Sequence, residues 1–301
     1  MPQSVSCDLL LYADDSCLVF TDKNFDNIEN QLNKNFNSIC DWFVDNKLSI
    51  HLGEDKTKSI LFGTKRKIKG LQELDIRHGD KKIKQHPQVT YLGCVLDSSL
   101  NGESMALHAL TKVNAKLKFL YRKRSFLSTC LRRLLCNALI QPHFDFACLA
   151  WYPCLNKKFK KKIQVAQNKC IRYCLNLGNR AHIGTKEFEK INWLPTKERF
   201  EVCVCVGIFN FFVGAAPTYI SEMYFPLEQS QCTRRSFNKL WIPNQRTNRG
   251  LKILSYLGPR LWNTLPNFLK SAKSVNDFKH KLKESFFNSL RDKEKNPYFY
   301  Y

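Results

Sequence analysis

The sequence lacks the features that mark a membrane or secreted protein. No stretch reaches the roughly 18 consecutive apolar residues that a membrane-spanning helix requires. Residues 1–30 lack the basic segment and the long apolar segment of a secretory signal peptide. We therefore expect an intracellular protein that does not insert into a membrane.

The cysteines lack the spacing of a zinc site or of a disulfide framework. There are 13 of them, an odd number, scattered along the chain. The close pairs are Cys170 and Cys174, with three residues between them, and Cys203 and Cys205, with one residue between them. Neither spacing matches the C-x₂-C sets that hold zinc. We interpret the cysteines as reduced, small apolar residues of a protein interior.

Internal repeats and long Gly/Ser-rich linkers are also missing, which argues against a repeat array. The chain has 301 residues and is 44% hydrophobic, with 22 phenylalanines, which is enough for two packed domains. Shifts in pattern predict three parts, at residues 1–98, 99–225 and 226–301. The basic stretch 226–249, which includes Arg234 and Arg235, is the best candidate for a flexible connection.

Basic residues are scarce at the start of the chain and abundant afterwards. Residues 1–60 hold 5 Lys and Arg against 10 Asp and Glu, a net charge of −5, and the remaining residues carry +27. A strongly basic body with a local acidic segment fits a polyanionic partner such as nucleic acid. The alternative is a generic basic surface, because charge alone does not identify a partner.

Two short apolar runs meet at a pair of aspartates near the start. The segment Leu9–Phe20 predicts a hairpin of two strands with Asp14 and Asp15 at its turn. Adjacent carboxylates repel each other unless a cation lies between them. Because Mg²⁺ prefers oxygen ligands, the pair is a candidate metal site; the alternative is an ordinary acidic turn.

The remainder of residues 1–98 has the pattern of an α+β unit. Apolar residues recur every three or four positions over 24–46, which predicts a helix. Further elements are predicted as strands at Leu48–His51 and Lys58–Phe62, a hairpin around His78–Asp80, and a strand at Val89–Leu96 interrupted by Gly93.

Residues beyond 98 predict mainly helices, at 107–120, 127–139, 159–174, 196–212 and after Ser274, which is placed as an N-cap. Lysines beside the first and third of these apolar stripes are candidate nucleic-acid contacts: Lys112, Lys116, Lys118, Lys157, Lys158, Lys160, Lys161 and Lys162. The run at 157–162 is also typical of a nuclear address, or of a solvated helix face.

Two further features suit nucleotide chemistry. Lys56, in the loop before the predicted strand Lys58–Phe62, could neutralise charge on a leaving pyrophosphate. In Tyr91-Leu92-Gly93, the glycine lets another backbone approach a strand closely. Each feature is weak alone, because a single surface lysine or a bare tripeptide has little specificity.

The sequence resembles the C-terminal half of the reverse transcriptase of a non-LTR (LINE-type, Jockey-like) retrotransposon. The strings that carry the resemblance occur in the family's order: Leu10–Phe20 around Tyr-Ala-Asp-Asp, Cys40–Ser49, Asp55–Gly63, Tyr91–Gly93, Arg132–Leu135 to Trp151-Tyr152, and Gly258–Pro266. The resemblance implies a partial palm, an antiparallel hairpin plus helix, followed by a mainly α-helical thumb and C-terminal region.

The family's reaction adds dNTPs to a DNA primer 3′-OH on an RNA template. By resemblance, Asp14 and Asp15 bind Mg²⁺ or Mn²⁺, and Lys56 faces the triphosphate. Tyr91-Leu92-Gly93 corresponds to the primer grip. The lysine-rich helices would then face the RNA/DNA hybrid.

The resemblance also implies missing parts. The family's fingers and the palm strand with its other metal aspartate lie upstream of Tyr-Ala-Asp-Asp, and Asp97 and Asp145 have no context to replace that aspartate. We therefore expect a truncated polymerase that is inactive alone, with the N-terminal part of the polymerase as a partner. We also expect the hairpin to expose an edge and an apolar face. The alternatives are a non-catalytic nucleic-acid-binding module and an inert retrotransposon remnant.

Overall fold

A computed structural model describes residues 5–54, 56–227 and 238–295. It divides the chain into two compact units, residues 1–100 (unit 1) and 101–301 (unit 2). Asp55, Arg234 and Arg235, which the sequence analysis singled out, lie outside the described residues. The division of the chain into three parts stays a prediction.

Unit 1 combines three small antiparallel hairpins with one long helix. Its elements are β1 (Asp8–Tyr12), β2 (Asp15–Val19), α1 (Phe25–Asp45), α2 (Lys65–Ile68), β3 (Ile76–His78), β4 (Lys81–Ile83), β5 (Gln88–Tyr91) and β6 (Cys94–Asp97). In the described part of the unit, strands pair only with their sequence neighbours, as β1–β2, β3–β4 and β5–β6. The predicted first hairpin and long helix are confirmed.

Helix α1 organises the core of unit 1. Asn24 caps its start, because the Asn24 side-chain oxygen accepts a hydrogen bond from the Asp26 amide at 2.9 Å. The apolar stripe of α1 packs against a cluster on and beside β3–β4, formed by Leu74, Ile76 and Ile83. The amide of Ser6, just before β1, donates to Asn35 on α1 at 2.7 Å and so holds the first hairpin to this helix.

Two of the predicted strands in unit 1 are wrong. Leu48–His51 is irregular, and Lys58–Phe62 contributes only one bridge, between Ser59 and Gln85. The intervening loop folds on itself, since the amides of Lys56 and Thr57 both donate to the Gly53 carbonyl. A strand needs a run of partners along its length, and sequence pattern alone does not show whether such a partner exists.

The third predicted strand, Val89–Leu96, is a hairpin rather than one interrupted strand. Tyr91 pairs with Cys94, which leaves Leu92 and Gly93 as a two-residue turn. Both turn residues have positive φ, 46° at Leu92 and 77° at Gly93. Two consecutive left-handed residues match the twist of a tight hairpin, so Gly93 reverses the chain rather than bending a strand.

Unit 2 is helical in the residues that the structure describes. Its helices are α3 (Glu103–Tyr121), α4 (Thr129–Leu139), α5 (Gln141–Asp145), α6 (Cys148–Trp151), α7 (Lys157–Leu175), α8 (Thr185–Lys190), α9 (Thr196–Phe212), α10 (Thr218–Ser221), α11 (Leu254–Thr264), α12 (Asn267–Lys270) and α13 (Val275–Lys295). No helix among the described residues combines the length and apolar character needed to cross a membrane.

Two packing groups build unit 2. Helix α7 packs against α3 and α4, and α9 packs against α11 and α13. The second group closes around aromatic rings: Trp262 is fully buried, 5.0 Å from Phe212 and 5.9 Å from Phe278 between ring centroids. The predicted N-cap of α13 is confirmed, because the Asp277 amide donates to Ser274 Oγ at 3.1 Å. The chain as a whole therefore mixes helix and strand, as an α+β protein does.

Candidate functional site

The first hairpin places its two adjacent carboxylates at an exposed tip. Tyr12 pairs with Asp15, so Ala13 and Asp14 form the two-residue turn and Asp15 is the first residue of β2. Ala13 reverses the chain with a φ of 52°. Both carboxylates are exposed. The sequence prediction put the Asp pair at the turn; the turn itself is one residue earlier.

The third hairpin brings Tyr91 near this tip. Asp15 and Cys17 lie on one face of β2, because strand side chains alternate. Partial burial raises the pKa of the Tyr91 phenol, and the neighbouring Cys17 and Asp15 raise it further. Tyr91 therefore lies within electrostatic range of Asp15, and two predicted site residues share one region of unit 1. Leu92 is exposed, at the tip of its own hairpin.

Lys56 does not join this group through a direct contact. Its side chain is exposed, and its backbone amide donates to the Gly53 carbonyl at 3.0 Å. In the described parts of the chain, no hydrogen bond or ion pair links Lys56 to Asp14 or Asp15. The loop is tied instead by Thr57, whose hydroxyl donates to the His51 carbonyl at 2.8 Å.

The two carboxylates fit part of a divalent metal site. Within residues 5–54, 56–227 and 238–295, no cluster of three or more His, Cys, Asp or Glu side chains could hold a metal ion. Asp8 is also on β1, but it pairs with Val19, four residues along from Tyr12, a distance of about 14 Å. Two exposed carboxylates suit an Mg²⁺ ion that keeps several water ligands, and they do not complete a two-metal centre.

The first hairpin also exposes apolar surface, as expected from its sequence. Leu10, Leu11 and Tyr12 are 48%, 53% and 64% exposed. Among the described strands β1 pairs only with β2, so its other edge carries no strand partner. A lone two-stranded hairpin is marginally stable in water, so this hairpin depends on ties to the rest of the unit, such as the hydrogen bond from Ser6 to Asn35 of α1.

The predicted lysines of unit 2 do not form one surface. Four lysines on α7 line an open groove of about 420 Å³ between α3 and α7, here called the lysine groove: Lys158, Lys161, Lys162 and Lys169. Its other lining residues are Leu110 and Asn114 of α3 and Val165 and Ala166 of α7. No acidic residue lines it.

Lys169 was missed by the sequence analysis, although a signal for it was present. It lies seven residues after Lys162, two helical turns along the same face. The dense run of lysines ends at 162, but the helical period extends the stripe to Lys169.

The other five predicted lysines lie outside the lysine groove. Lys160 packs on the opposite flank of α7, with its ammonium 5.2 Å from the Tyr152 ring centroid. Burial lowers the pKa of Lys160, and nearby Lys252 lowers it further. Lys112 and Lys116 face His143 of α5, whose pKa is lowered first by burial and then by these two cations. Lys157 is exposed at the first turn of α7.

Lys118 is exposed on the flank of α3 that carries Asn114, one helical turn further along. Asn114 lines the lysine groove and Lys118 does not. The groove side of α3 therefore contributes an amide and an apolar residue. The positive charge of the groove comes from α7.

Comparisons with protein-family models, curated proteins and solved structures gave no match to this chain. Two features remain as candidate sites: the exposed carboxylates of the β1–β2 tip, with Tyr91 within electrostatic range of Asp15, and the lysine groove.

Proposed function

We propose that this chain is part of an RNA-directed DNA polymerase of the non-LTR retrotransposon type, with unit 1 as a partial palm and the start of unit 2 as a thumb. The observation that carries the proposal is the β1–β2 tip. It presents Asp14 and Asp15 to solvent, and Tyr91 of the third hairpin lies within electrostatic range of Asp15.

The proposed reaction adds a dNTP to the 3′-OH of a primer on an RNA template. Asp14 and Asp15 would hold Mg²⁺ or Mn²⁺. When bound, the ion would neutralise negative charge on the triphosphate and on the attacking hydroxyl. Lys56, in its exposed loop, would offset charge on the leaving pyrophosphate. The Tyr91-Leu92-Gly93 turn would position the primer end beside the carboxylates.

This assignment requires a further carboxylate. Two-metal polymerase chemistry needs carboxylates that converge from more than one strand, and the described residues contain no group of three or more side chains that could hold a metal ion. A second polypeptide or further residues of the polymerase would supply the remaining ligand along the open edge of β1. We therefore expect the chain alone to bind metal weakly and to extend no primer.

Metal binding at the tip tests the proposal directly. In a Mn²⁺ titration followed by NMR, we expect paramagnetic broadening of the amides around Asp14 and Asp15, and its loss in Asp14→Asn. Asp80→Asn is the matched control, because Asp80 is a single carboxylate at the exposed turn of the β3–β4 hairpin. Broadening at Asp80 as strong as at Asp14 would contradict the proposal.

Primer extension tests the catalytic part of the proposal. The 301-residue chain is incubated with an RNA template, a DNA primer, dNTPs and Mg²⁺ or Mn²⁺, beside Asp14→Asn. We expect no product. Extension by the wild-type chain that disappears in Asp14→Asn would show that the site is complete and that the account of a missing carboxylate is wrong.

A second candidate function is a non-catalytic nucleic-acid-binding module. The lysine groove favours it, since four lysines surround an open surface with no acidic residue among its lining residues. Such a module would bind RNA/DNA hybrid with a steep dependence on salt, and Asp14→Asn would leave that binding unchanged. An inert remnant would show neither metal binding at the tip nor salt-dependent binding of nucleic acid.

A further inference from the structure

Two cysteines from different helices meet at a small cavity in unit 2. Cys148 lies on α6 and Cys203 on α9, helices that pack directly against each other. Both residues line a cavity of about 10 Å³, room for about one water molecule, together with the ion pair of Asp145 and Arg199. The 54 residues between them in sequence give no hint of this contact.

The two thiols lie close enough to interact across the cavity, and their environments differ. Their interaction lowers the pKa of Cys203 and raises the pKa of Cys148. Arg199 and Lys279 also favour the Cys203 thiolate, whereas burial and Asp145 oppose it. Cys203 is only half-buried, while Cys148 is buried. A reagent from solution therefore meets Cys203 first.

A second thiol pair in the same unit lacks this accessibility. Cys136 of α4 and Cys174 of α7 also interact, which raises the pKa of Cys136, but both are fully buried. Reactive cysteines need both thiolate character and access, so the buried pair serves as an internal reference. Cys130, on α4, is exposed and serves as the reference for exposure alone.

We propose that Cys203 is a peroxide-sensitive thiol and that Cys148 is its resolving partner, so that oxidation closes a disulfide between α6 and α9. The Cys203 thiolate attacks hydrogen peroxide, the O–O bond breaks, and Cys203 sulfenic acid and hydroxide form. The Cys148 sulfur then attacks the sulfenic sulfur, the S–O bond breaks, and water leaves with the Cys148 proton. The two cysteines together lose two electrons, and one peroxide is reduced to two waters overall.

The proposal does not depend on polymerase activity, because it concerns a pair of thiols in the helical unit. Its site is made by α6 and α9, and each cysteine occupies the helix face that meets the other helix. The disulfide would tie these helices covalently at a point where they already touch. Its formation therefore requires the folded chain.

Peptide mapping after peroxide treatment tests the proposal on the full chain. The folded, reduced protein is treated with a small molar excess of hydrogen peroxide, quenched, alkylated and digested for mass spectrometry. We expect a Cys148–Cys203 cross-linked peptide that has lost two hydrogens, while Cys136 and Cys174 stay alkylatable only after unfolding. Oxidation of Cys130 with Cys203 still reduced would overturn the proposal.

Two serine variants separate the roles of the thiols. In Cys148→Ser, we expect the sulfenic acid of Cys203 to persist and to be trapped by dimedone. In Cys203→Ser, we expect no dimedone adduct at Cys148 and no disulfide, with circular dichroism confirming that the helices are retained. A dimedone adduct at Cys148 in Cys203→Ser would overturn the assignment. Cys130→Ser is the matched control, in which the Cys148–Cys203 disulfide should still form.

Discussion

The lysine groove makes a quantitative prediction about nucleic-acid binding. We consider a variant in which its four lysines, Lys158, Lys161, Lys162 and Lys169, are replaced by glutamine. Glutamine retains helix propensity and much of the side-chain length, so the change removes four positive charges with little effect on α7. All four side chains are exposed and can reach phosphates; the Lys162 ammonium also lies 4.7 Å from the Phe159 ring centroid.

The expected magnitude follows from counterion release. Each lysine that contacts a duplex phosphate adds about 0.9 to the slope of log affinity against log salt, so four contribute about 3.6. Between 50 and 200 mM salt, the wild-type chain should therefore lose about 150-fold more affinity than the quadruple variant. Lys169→Gln alone should lower the slope by about 0.9, the same amount as any single groove lysine.

Fluorescence anisotropy of a labelled RNA/DNA hybrid measures these slopes at several salt concentrations. Lys160→Gln is the matched control, since this lysine lies in the same run but is half-buried and does not line the lysine groove. Its slope should equal that of the wild type. The assignment of the groove would be refuted if the quadruple variant kept the wild-type slope while Lys160→Gln lowered it. The same holds if the double variant Lys112→Gln with Lys116→Gln lowered the slope and the quadruple variant did not.

Four further outcomes follow from the packing and the pKa shifts. Trp262→Ala should destabilise unit 2 by about 3–5 kcal/mol in urea unfolding, because it empties a fully buried site. Ser274→Ala should cost about 1 kcal/mol through the lost cap, in the same assay. Burial and nearby cations lower the pKa of His143 below 6.5, so the folded state favours its neutral form. The free energy of unfolding should therefore fall as the pH drops below 6.5, where the unfolded chain binds a proton more readily. This fall should be less steep in His143→Gln. Amides of Leu9–Phe20 should exchange fast with deuterium, and strong protection there would contradict an isolated hairpin.

Local chemistry explains why much of the fold was predictable. The period of three to four residues in α1 and the cap of α13 by Ser274 both depend on groups within one or two turns. Likewise, the β1–β2 hairpin follows from two apolar runs around a short turn. In each case the residues that form the structure are close in sequence.

The strands at Leu48–His51 and Lys58–Phe62 were predicted wrongly for the opposite reason. Apolar composition is compatible with a strand, but a strand exists only where another backbone offers a row of hydrogen bonds. Ser59 has one such partner, at Gln85, and its neighbours do not. The turn at Leu92 and Gly93 was missed because Gly93 is also compatible with a bend within one strand.

The sequence by itself determined the candidate chemistry: adjacent carboxylates at a hairpin, a lysine-rich helix and an excess of positive charge. Only the tertiary structure decided which groups act together. The packing of α7 against α3 made Lys169 a groove residue, while Lys160 is half-buried with its ammonium over the Tyr152 ring. The packing of α6 on α9 paired Cys148 with Cys203. Sequence patterns indicate which face of a helix or strand is apolar. Which element covers that face, and therefore which side chains come into contact, depends on packing between residues far apart in the chain.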